Sequence, residues 1–253
     1  MIALIGSGNV AHWLARKLCK STEYPIAQVY SRNLAHAQAL ASEVGAQAID
    51  NLSLLNPNCE IFLFSLKDDA YKEILTDLPF ELPLALHTAG SVSQNIFQGY
   101  AKRYGVLYPL QTFTKSENME HLSVPLCVED NALGEHKDKV QRLAEELSDK
   151  LYDVSEEQRG VLHLAAVFAC NFSNAMANIA EDILKTRNLD FQMLLPLMRQ
   201  TLDKLAIMSP DMAQTGPAVR KDAAVMEKHL QMLSSEELKT IYSLMSNYIM
   251  SKR

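Results

Sequence analysis

A run of apolar residues, Met1-Ile2-Ala3-Leu4-Ile5, leads straight into Gly6-Ser7-Gly8-Asn9-Val10-Ala11. No other feature limits the fold of this chain as tightly. G-x-G-x-x-A between a strand and a helix is the arrangement that holds a dinucleotide. Gly6 turns the chain out of the strand, and Gly8 lets the backbone approach a pyrophosphate with no Cβ in the way. Ala11 is small enough for the helix to pack closely on the sheet. The helix start offers unpaired N–H groups and the positive end of its dipole to the anion. Ser7, Asn9 and Val10 complete the predicted cofactor loop. The alternative is a glycine turn that holds no ligand.

A strand and helix rhythm follows. Val10, Trp13, Leu14, Lys17 and Leu18 fall at helical spacing, and Ile26 to Tyr30 reads as a second strand. Leu34, Ala37, Ala41 and Val44 give a helical face closed by Gly45. Ala46 to Ile49 is a short third strand. Glu60 to Leu66 is a fourth, continuously apolar from Ile61 to Phe64 as a strand buried on both faces should be. Asp68 or Asp69 is placed to cap the next helix. Pro83 to His87 and Gly105 to Tyr108 are the fifth and sixth strands. Val124 to Val128 and Leu151 to Val154 flank a helix carrying Val140, Leu143 and Leu147. Alternation at this spacing means βαβ units and a mostly parallel, doubly wound sheet.

The pattern changes at Ser155. Ser155-Glu156-Glu157-Gln158 forms a capping box opening a helix to about Arg187. Further helices are predicted over roughly Phe191 to Ile207, from the Met212–Pro217 loop through Leu233, and from a second capping box, Ser234-Ser235-Glu236-Glu237, to about Met250. The predicted domains are residues 1–154, α/β, and residues 155–253, all helical.

With the first glycine at residue 6, no secretory leader is expected. No run of ~18 uninterrupted apolar residues suggests a membrane span. Cys19, Cys59, Cys127 and Cys170 are scattered without a C-x-x-C pair, which points to buried free thiols in the cytoplasm and to no metal site. A net charge of -6 without a basic stripe argues against nucleic acid as a partner.

The end of the second strand selects the cofactor. An Asp or Glu there would accept from the ribose 2′-hydroxyl of NAD. This chain has Tyr30-Ser31-Arg32-Asn33. Arg32 suits a 2′-phosphate and the face of an adenine, and Ser31 can donate to the same phosphate. The cofactor read from these residues is NADP. A reduced deazaflavin, whose binders use the same kind of loop, is the alternative.

Six blocks recur in order: Gly6 to Ala11, Val29-Tyr30-Ser31-Arg32, His87-Thr88-Ala89-Gly90-Ser91, Tyr108 to Phe113, Leu162 to Phe172, and Gln214 to Arg220. Together they resemble a bacterial family that joins a Rossmann-like domain to a helical C-terminal domain of unknown function. Its members are described as NADP oxidoreductases, and the resemblance spans essentially the whole chain. It implies a doubly wound, mostly parallel Rossmann sheet followed by an all-α domain like the C-terminal domain of 6-phosphogluconate dehydrogenase. Wider relatives include pyrroline-5-carboxylate reductase, ketopantoate reductase and the β-hydroxyacid dehydrogenases. In those enzymes the helical domain covers the nicotinamide, contacts substrate and builds a dimer. One departure concerns the chemistry. Ketopantoate reductase and the β-hydroxyacid dehydrogenases carry a lysine four residues before an Asn; with Asn171 as that Asn, the earlier position holds Val167.

Hydride transfer to a carbonyl needs a group that exchanges a proton. His163, Asn171, Asn174 and Asn178 are spaced to form one polar stripe on an otherwise apolar helix. His163 is the predicted proton carrier and Asn171 the residue that orients substrate or nicotinamide. The competing reading is a core histidine with interhelical amide bonds. His87 and Thr88, after the fifth strand, are predicted to flank the cofactor, unless that segment is a structural turn built for Gly90. Ser65, Leu66 and Lys67, after the fourth, are predicted to flank it likewise, with Lys67 equally placed to face solvent. Thr215 and Arg220, around the start predicted for a helix at Pro217, would hold a substrate carboxylate, unless Pro217 is ordinary punctuation. These residues predict a hydride-transferring oxidoreductase acting on a small polar metabolite in an interdomain cleft. A nucleotide-binding sensor without turnover is the other class. Apolar faces with Met176, Ile179, Ile183 and Leu184, and with Ile241, Leu244, Met245 and Tyr248, predict a homodimer through the helical domain.

Overall fold

The structure, a computed structural model, describes residues 1–115 and 123–252. The chain starts with β1 (Ile2–Ile5), α1 (Asn9–Leu18), β2 (Ile26–Tyr30), α2 (Leu34–Val44), β3 (Gln47–Ile49), β4 (Ile61–Phe64) and α3 (Tyr71–Thr76). It continues with β5 (Leu82–His87), β6 (Ala101–Pro109), β7 (Leu126–Asp130), α4 (Glu135–Leu147) and β8 (Leu151–Asp153). The strands form one sheet in the order β3-β2-β1-β4-β5-β6-β7-β8, parallel throughout except between β6 and β7. This is the doubly wound α/β architecture expected from the alternation. The chain winds from β1 toward one edge and resumes at β4 toward the other. The order reverses at the β1/β4 pair, where such sheets bind ligands beyond the strand ends.

β1 and β4 explain why these segments read as unbroken apolar runs: both are buried on both faces. Ile2, Leu4, Ile61 and Leu63 join Leu14, Leu18 and Leu40 from α1 and α2 in one core cluster. Ala3, Ile5, Phe62 and Phe64 join Tyr71, Ile74 and Phe97 in the other. At about 25 cal/mol per Å² of apolar surface removed from water, two filled layers are the main stabilising term of the sheet.

Local chemistry sets the element ends. Asn33 caps α2 by accepting from the Ala35 and His36 amides, and Gly45 closes it in the left-handed region. Asp68 and Asp69 do not cap α3 as expected. They lie in a 3-10 turn, Asp68–Ala70, ahead of it, and Asp68 accepts instead from the Ser91 hydroxyl. β6 starts earlier than its apolar pattern, because Ala101, Arg103 and Tyr104 already pair with Leu82, Leu84 and Ala85 of β5.

The helical part holds α5 (Glu156–Ala166), α6 (Ser173–Lys185), α7 (Leu195–Leu205), α8 (Pro210–Ala213), α9 (Ala223–Met232) and α10 (Glu236–Ser251). The capping box at Ser155 is complete, with Ser155 and Gln158 each satisfying the other's backbone. At the last helix Ser235 caps alone, accepting from the Leu238 amide, so the expected box is reduced to a single cap. The long helix predicted from Ser155 is not regular. A π-helical turn, Val167–Phe172, separates α5 from α6. Taken together, Glu156–Lys185 is long and apolar enough, by length and composition, to cross a membrane, with mean hydropathy 1.3 over its most apolar window. The expectation concerned an uninterrupted apolar run, and this helix contains none: His163, Asn171, Ser173 and Asn174 break it, while Val, Leu, Ala and Phe raise the mean.

The chain divides into two compact units, Met1–Ala169 and Cys170–Arg253. The division lies in the π-helical turn and not at Ser155, because α5 is fastened to the sheet unit by Arg159 and His163.

Candidate functional site

Beyond the ends of β1, β2 and β4 lies a pocket of about 610 Å³. Every predicted cofactor residue from the glycine turn, Gly6, Ser7, Gly8, Asn9 and Val10, lines it, with Ser31 and Arg32 from the end of β2 and Ser65 and Leu66 from the end of β4. Gly6 has φ +121°, and a Cβ there would stand 2.1 Å from the Ser65 carbonyl oxygen. The glycine is therefore demanded by the abutting β4 exit as well as by the turn. At Gly8 a Cβ would meet nothing within 4 Å, so the α1 N-terminus faces open space. No side chain caps α1, and its first turn has no acidic residue. Its leading N–H groups are thus available to an anion.

Among the described residues lining the pocket, the charged side chains are Arg32, Lys67 and Lys115, and His36 adds a titratable group; no carboxylate is among them. Ser7 donates to the Ser31 hydroxyl at 3.0 Å, which ties the glycine turn to the β2 exit. Arg32 pairs with Glu73 at 3.2 Å, and both side chains are about two-thirds exposed. Such a pair is worth little and yields readily to a stronger anion. The open helix start, the cationic lining and the absence of a ribose-reading carboxylate fit an anionic dinucleotide bearing a third phosphate. Tyr30, Asn33, His36 and Lys115 join the lining without having been singled out from the sequence. Asn33 and His36 follow from the α2 cap, whereas nothing local to Lys115 announces it.

His87 and Thr88 are placed differently. Neither lines the pocket, and His87 is wholly buried among the rings of Tyr71 and Phe97. Its Nδ1 accepts from the Ala89 amide. Burial, helped by the nearby Arg159 guanidinium, pushes its pKa down to about 3. Thr88 bonds back to the Phe64 carbonyl through its amide. These residues hold the β5 exit against the β4 exit.

Beyond β5 and β6 stands a second constellation. Tyr108, near the end of β6, lies with its hydroxyl 3.0 Å from His163 Nδ1, and the two rings meet edge to face at 5.9 Å. Burial raises the phenol above its ordinary pKa, so it stays protonated at neutral pH. Gly90 makes this pair possible, since a Cβ there would come within 2.7 Å of His163 Nδ1 and 3.0 Å of Tyr108 Cζ.

Arg159, one turn before His163 on α5, holds the same loop. Its Nη1 donates to the carbonyls of Ala89, Gly90 and Val92 at 3.3, 2.9 and 2.9 Å, and its Nη2 meets Glu129 at 3.0 Å. Glu129 also accepts from Gln94 and from the Glu156 amide at the α5 start. Sequence pattern offered no signal for Arg159, because its partners come from two segments distant in the chain, the loop after β5 and strand β7.

In the helical unit, Asn171 is exposed within the π-helical turn. That turn interrupts the 3.6-residue repeat between His163 and Asn174, so the predicted spacings no longer define one stripe; one extra residue per turn shifts the phase by about 100°. Thr215 borders an apolar pocket of about 280 Å³ formed with Met176, Ile241 and Met245. Arg220 is exposed in a turn. The helix expected at Pro217 begins at Ala223, and the Asp222 carboxylate already caps it. Thr215 and Arg220 therefore do not converge on an open helix start. Of the four cysteines expected to be buried, Cys59 and Cys127 are, but Cys19 after α1 and Cys170 in the π-helical turn are exposed. No group of metal-ligating side chains occurs among the described residues.

Comparison with known proteins agrees with this fold. Residues 1–85 match the family described as NADP oxidoreductase, coenzyme F420-dependent, and residues 124–249 match a domain of unknown function, DUF2520. The chain is 39% identical to the crystal structure of a "putative NADP oxidoreductase" from Bacteroides fragilis, covering 99% of this chain and 97% of that one, with a TM-score of 0.92. It shares its fold with 1-pyrroline-5-carboxylate reductase from Streptococcus pyogenes (16% identity, 99% and 98% covered, TM-score 0.65). It shares it also with a reductive aminase from Aspergillus terreus in complex with NADPH and ethyl levulinate (16% identity, 98% and 93% covered, TM-score 0.71). A comparison with curated proteins gave no match. With its glycine-turn pocket and near-complete overlap with the Bacteroides fragilis protein, this chain belongs to the NADP oxidoreductase family that joins a Rossmann domain to the DUF2520 helical domain.

Proposed function

We propose that the protein is an NADP-dependent oxidoreductase that reduces or oxidises a small polar metabolite, with His163 carrying the proton. The observation that carries the cofactor assignment is the pocket lining, cationic at Arg32, Lys67 and Lys115 and free of carboxylates. Ser31 and Arg32 would take the 2′-phosphate, Glu73 releasing Arg32 to it, while the α1 N-terminus takes the pyrophosphate. When bound, the cofactor supplies or accepts the hydride.

The chain's own residues handle the proton. Tyr108 holds His163 by Nδ1, which leaves Nε2 to exchange a proton with the substrate oxygen or nitrogen. Gly90 and Arg159 fix the loop against which that ring rests. Val167 stands where some relatives of this fold keep a lysine, so His163 takes the task that lysine performs there. Asn171 is assigned to orient the substrate. The functional unit is a cytoplasmic homodimer: no residue of α6, α7, α9 or α10 is buried, and large apolar side chains such as Met176, Leu197, Leu202 and Leu244 stand exposed. Large apolar side chains exposed in this number are normally covered, here by a second copy.

Fluorescence titration of the purified protein tests the reading. NADPH is expected to bind in the micromolar range and more tightly than NADH; no NADPH binding refutes it. NADPH oxidation is then followed over a panel of small keto and imino acids. His163→Ala and Asn171→Ala are expected to abolish turnover at unchanged NADPH affinity. Turnover retained in both variants overturns the catalytic assignment. Tight NADPH binding with no turnover of any substrate favours a nucleotide sensor, the role that the missing lysine would suit.

A further inference from the structure

The segment that leaves β6 does more than connect strands. After Pro109 it turns across the start of α1. The Asn9 side-chain amide donates to the Phe113 carbonyl at 2.7 Å, and the Phe113 ring packs on Trp13 with centroids 5.1 Å apart. Phe113 is partly buried against the sheet core. Two residues later the backbone delivers Lys115 to the lining of the glycine-turn pocket. The ring contact and the amide bond fix where this lysine enters, and both anchors are on α1.

We infer that Lys115 is a cofactor-binding residue that closes over the pyrophosphate at the α1 N-terminus, opposite Arg32 at the 2′-phosphate end. The inference rests on the NADP reading above and deepens it. The assignment to the pyrophosphate follows from the anchoring. Asn9 is the first residue of α1, and its side chain holds Phe113, whereas Arg32 and His36 lie at the start of α2. Lys115 also acts on α1 electrostatically, for its ammonium is among the charges that disfavour protonation of His12, behind the larger effect of burial. A lysine acts on phosphate as a flexible point charge, so its contribution requires the strap to hold it near, not a fixed bidentate geometry.

The test compares two cofactors that share the pyrophosphate and differ in the 2′-phosphate. Dissociation constants for NADPH and NADH are measured for the wild-type protein, Lys115→Ala, Lys115→Arg and Arg32→Ala, with thermal unfolding as the check on folding. Lys115→Ala is expected to weaken both cofactors by the same factor, about tenfold, the size of one exposed charge-assisted contact. Lys115→Arg should restore most of the affinity. Arg32→Ala should weaken NADPH alone. Unchanged binding of both cofactors to Lys115→Ala overturns the inference, as does a loss confined to NADPH, which would move the lysine to the ribose phosphate. If the wild-type protein binds neither cofactor, the NADP reading falls first and this inference with it, an outcome separable from the other two by the wild-type arm alone.

Discussion

Replacing Arg159 by Met should cost the sheet unit several kcal/mol while leaving the side-chain stem in place. Arg159 is 1% exposed and its partner Glu129 16% exposed. Removing one partner of a buried pair typically costs about 3–5 kcal/mol, because the remaining charge keeps its desolvation penalty. Two structural facts set where in that range the value falls. Glu129 retains Gln94 and the Glu156 amide as donors, which softens the loss on its side. The carbonyls of Ala89, Gly90 and Val92 lose their common donor, and an unsatisfied buried carbonyl costs about 1–3 kcal/mol before relaxation. The losses are not additive, so about 4 kcal/mol is the working figure. In a chain of this size each kcal/mol moves the midpoint by about 2–4 °C, giving a fall of roughly 8–16 °C by differential scanning calorimetry. The double variant Arg159→Met/Glu129→Gln should lose less than the sum of the two single variants, since it leaves no unpaired charge. A shift of under about 2 °C in Arg159→Met, or simple additivity in the double variant, would refute the reasoning.

The buried His87 makes a second prediction. Its folded pKa, about 3, lies below the ordinary 6.5, so the folded protein holds it neutral. The stabilisation is complete above pH 6.5 and declines as pH falls toward 3, by up to about 1.4 kcal/mol per pH unit, because only the unfolded chain takes the proton. Urea unfolding from pH 7 to 4 should show a shallower acid limb in His87→Asn, whose amide can still accept from Ala89; identical slopes would remove His87 from the account. The exposed apolar helices make the third: light scattering should give twice the chain mass, and Leu244→Lys on α10 should produce monomer. A monomeric wild type that sediments with phosphatidylcholine vesicles would assign that surface to lipid instead.

The residues that were legible in the sequence share a property: their role follows from neighbours close along the chain. Gly6 to Ala11 announce the turn and helix start, Tyr30 to Asn33 the strand end and helix cap, and Ser155 to Gln158 the capping box. Gly45 and Asn33 likewise act within one turn of themselves. His87 shows where that kind of reading fails. Its position at a strand's carboxyl end is the position of a ligand-facing residue. The side chain nevertheless points among Tyr71 and Phe97, which come from other segments.

The sequence by itself thus determined the doubly wound sheet, the change to helices at Ser155, and the glycine turn whose residues line the pocket. Hydrophobic periodicity, caps and turn chemistry are local, and they act through backbone preferences that the residues carry with them. Only the tertiary structure decided that Tyr108 meets His163 across Gly90, that Arg159 fastens the β5 loop to Glu129, and that Lys115 joins the lining of the glycine-turn pocket. Each of these joins segments far apart in the chain. Such contacts arise from strand order and packing, and no pattern of neighbouring residues encodes them.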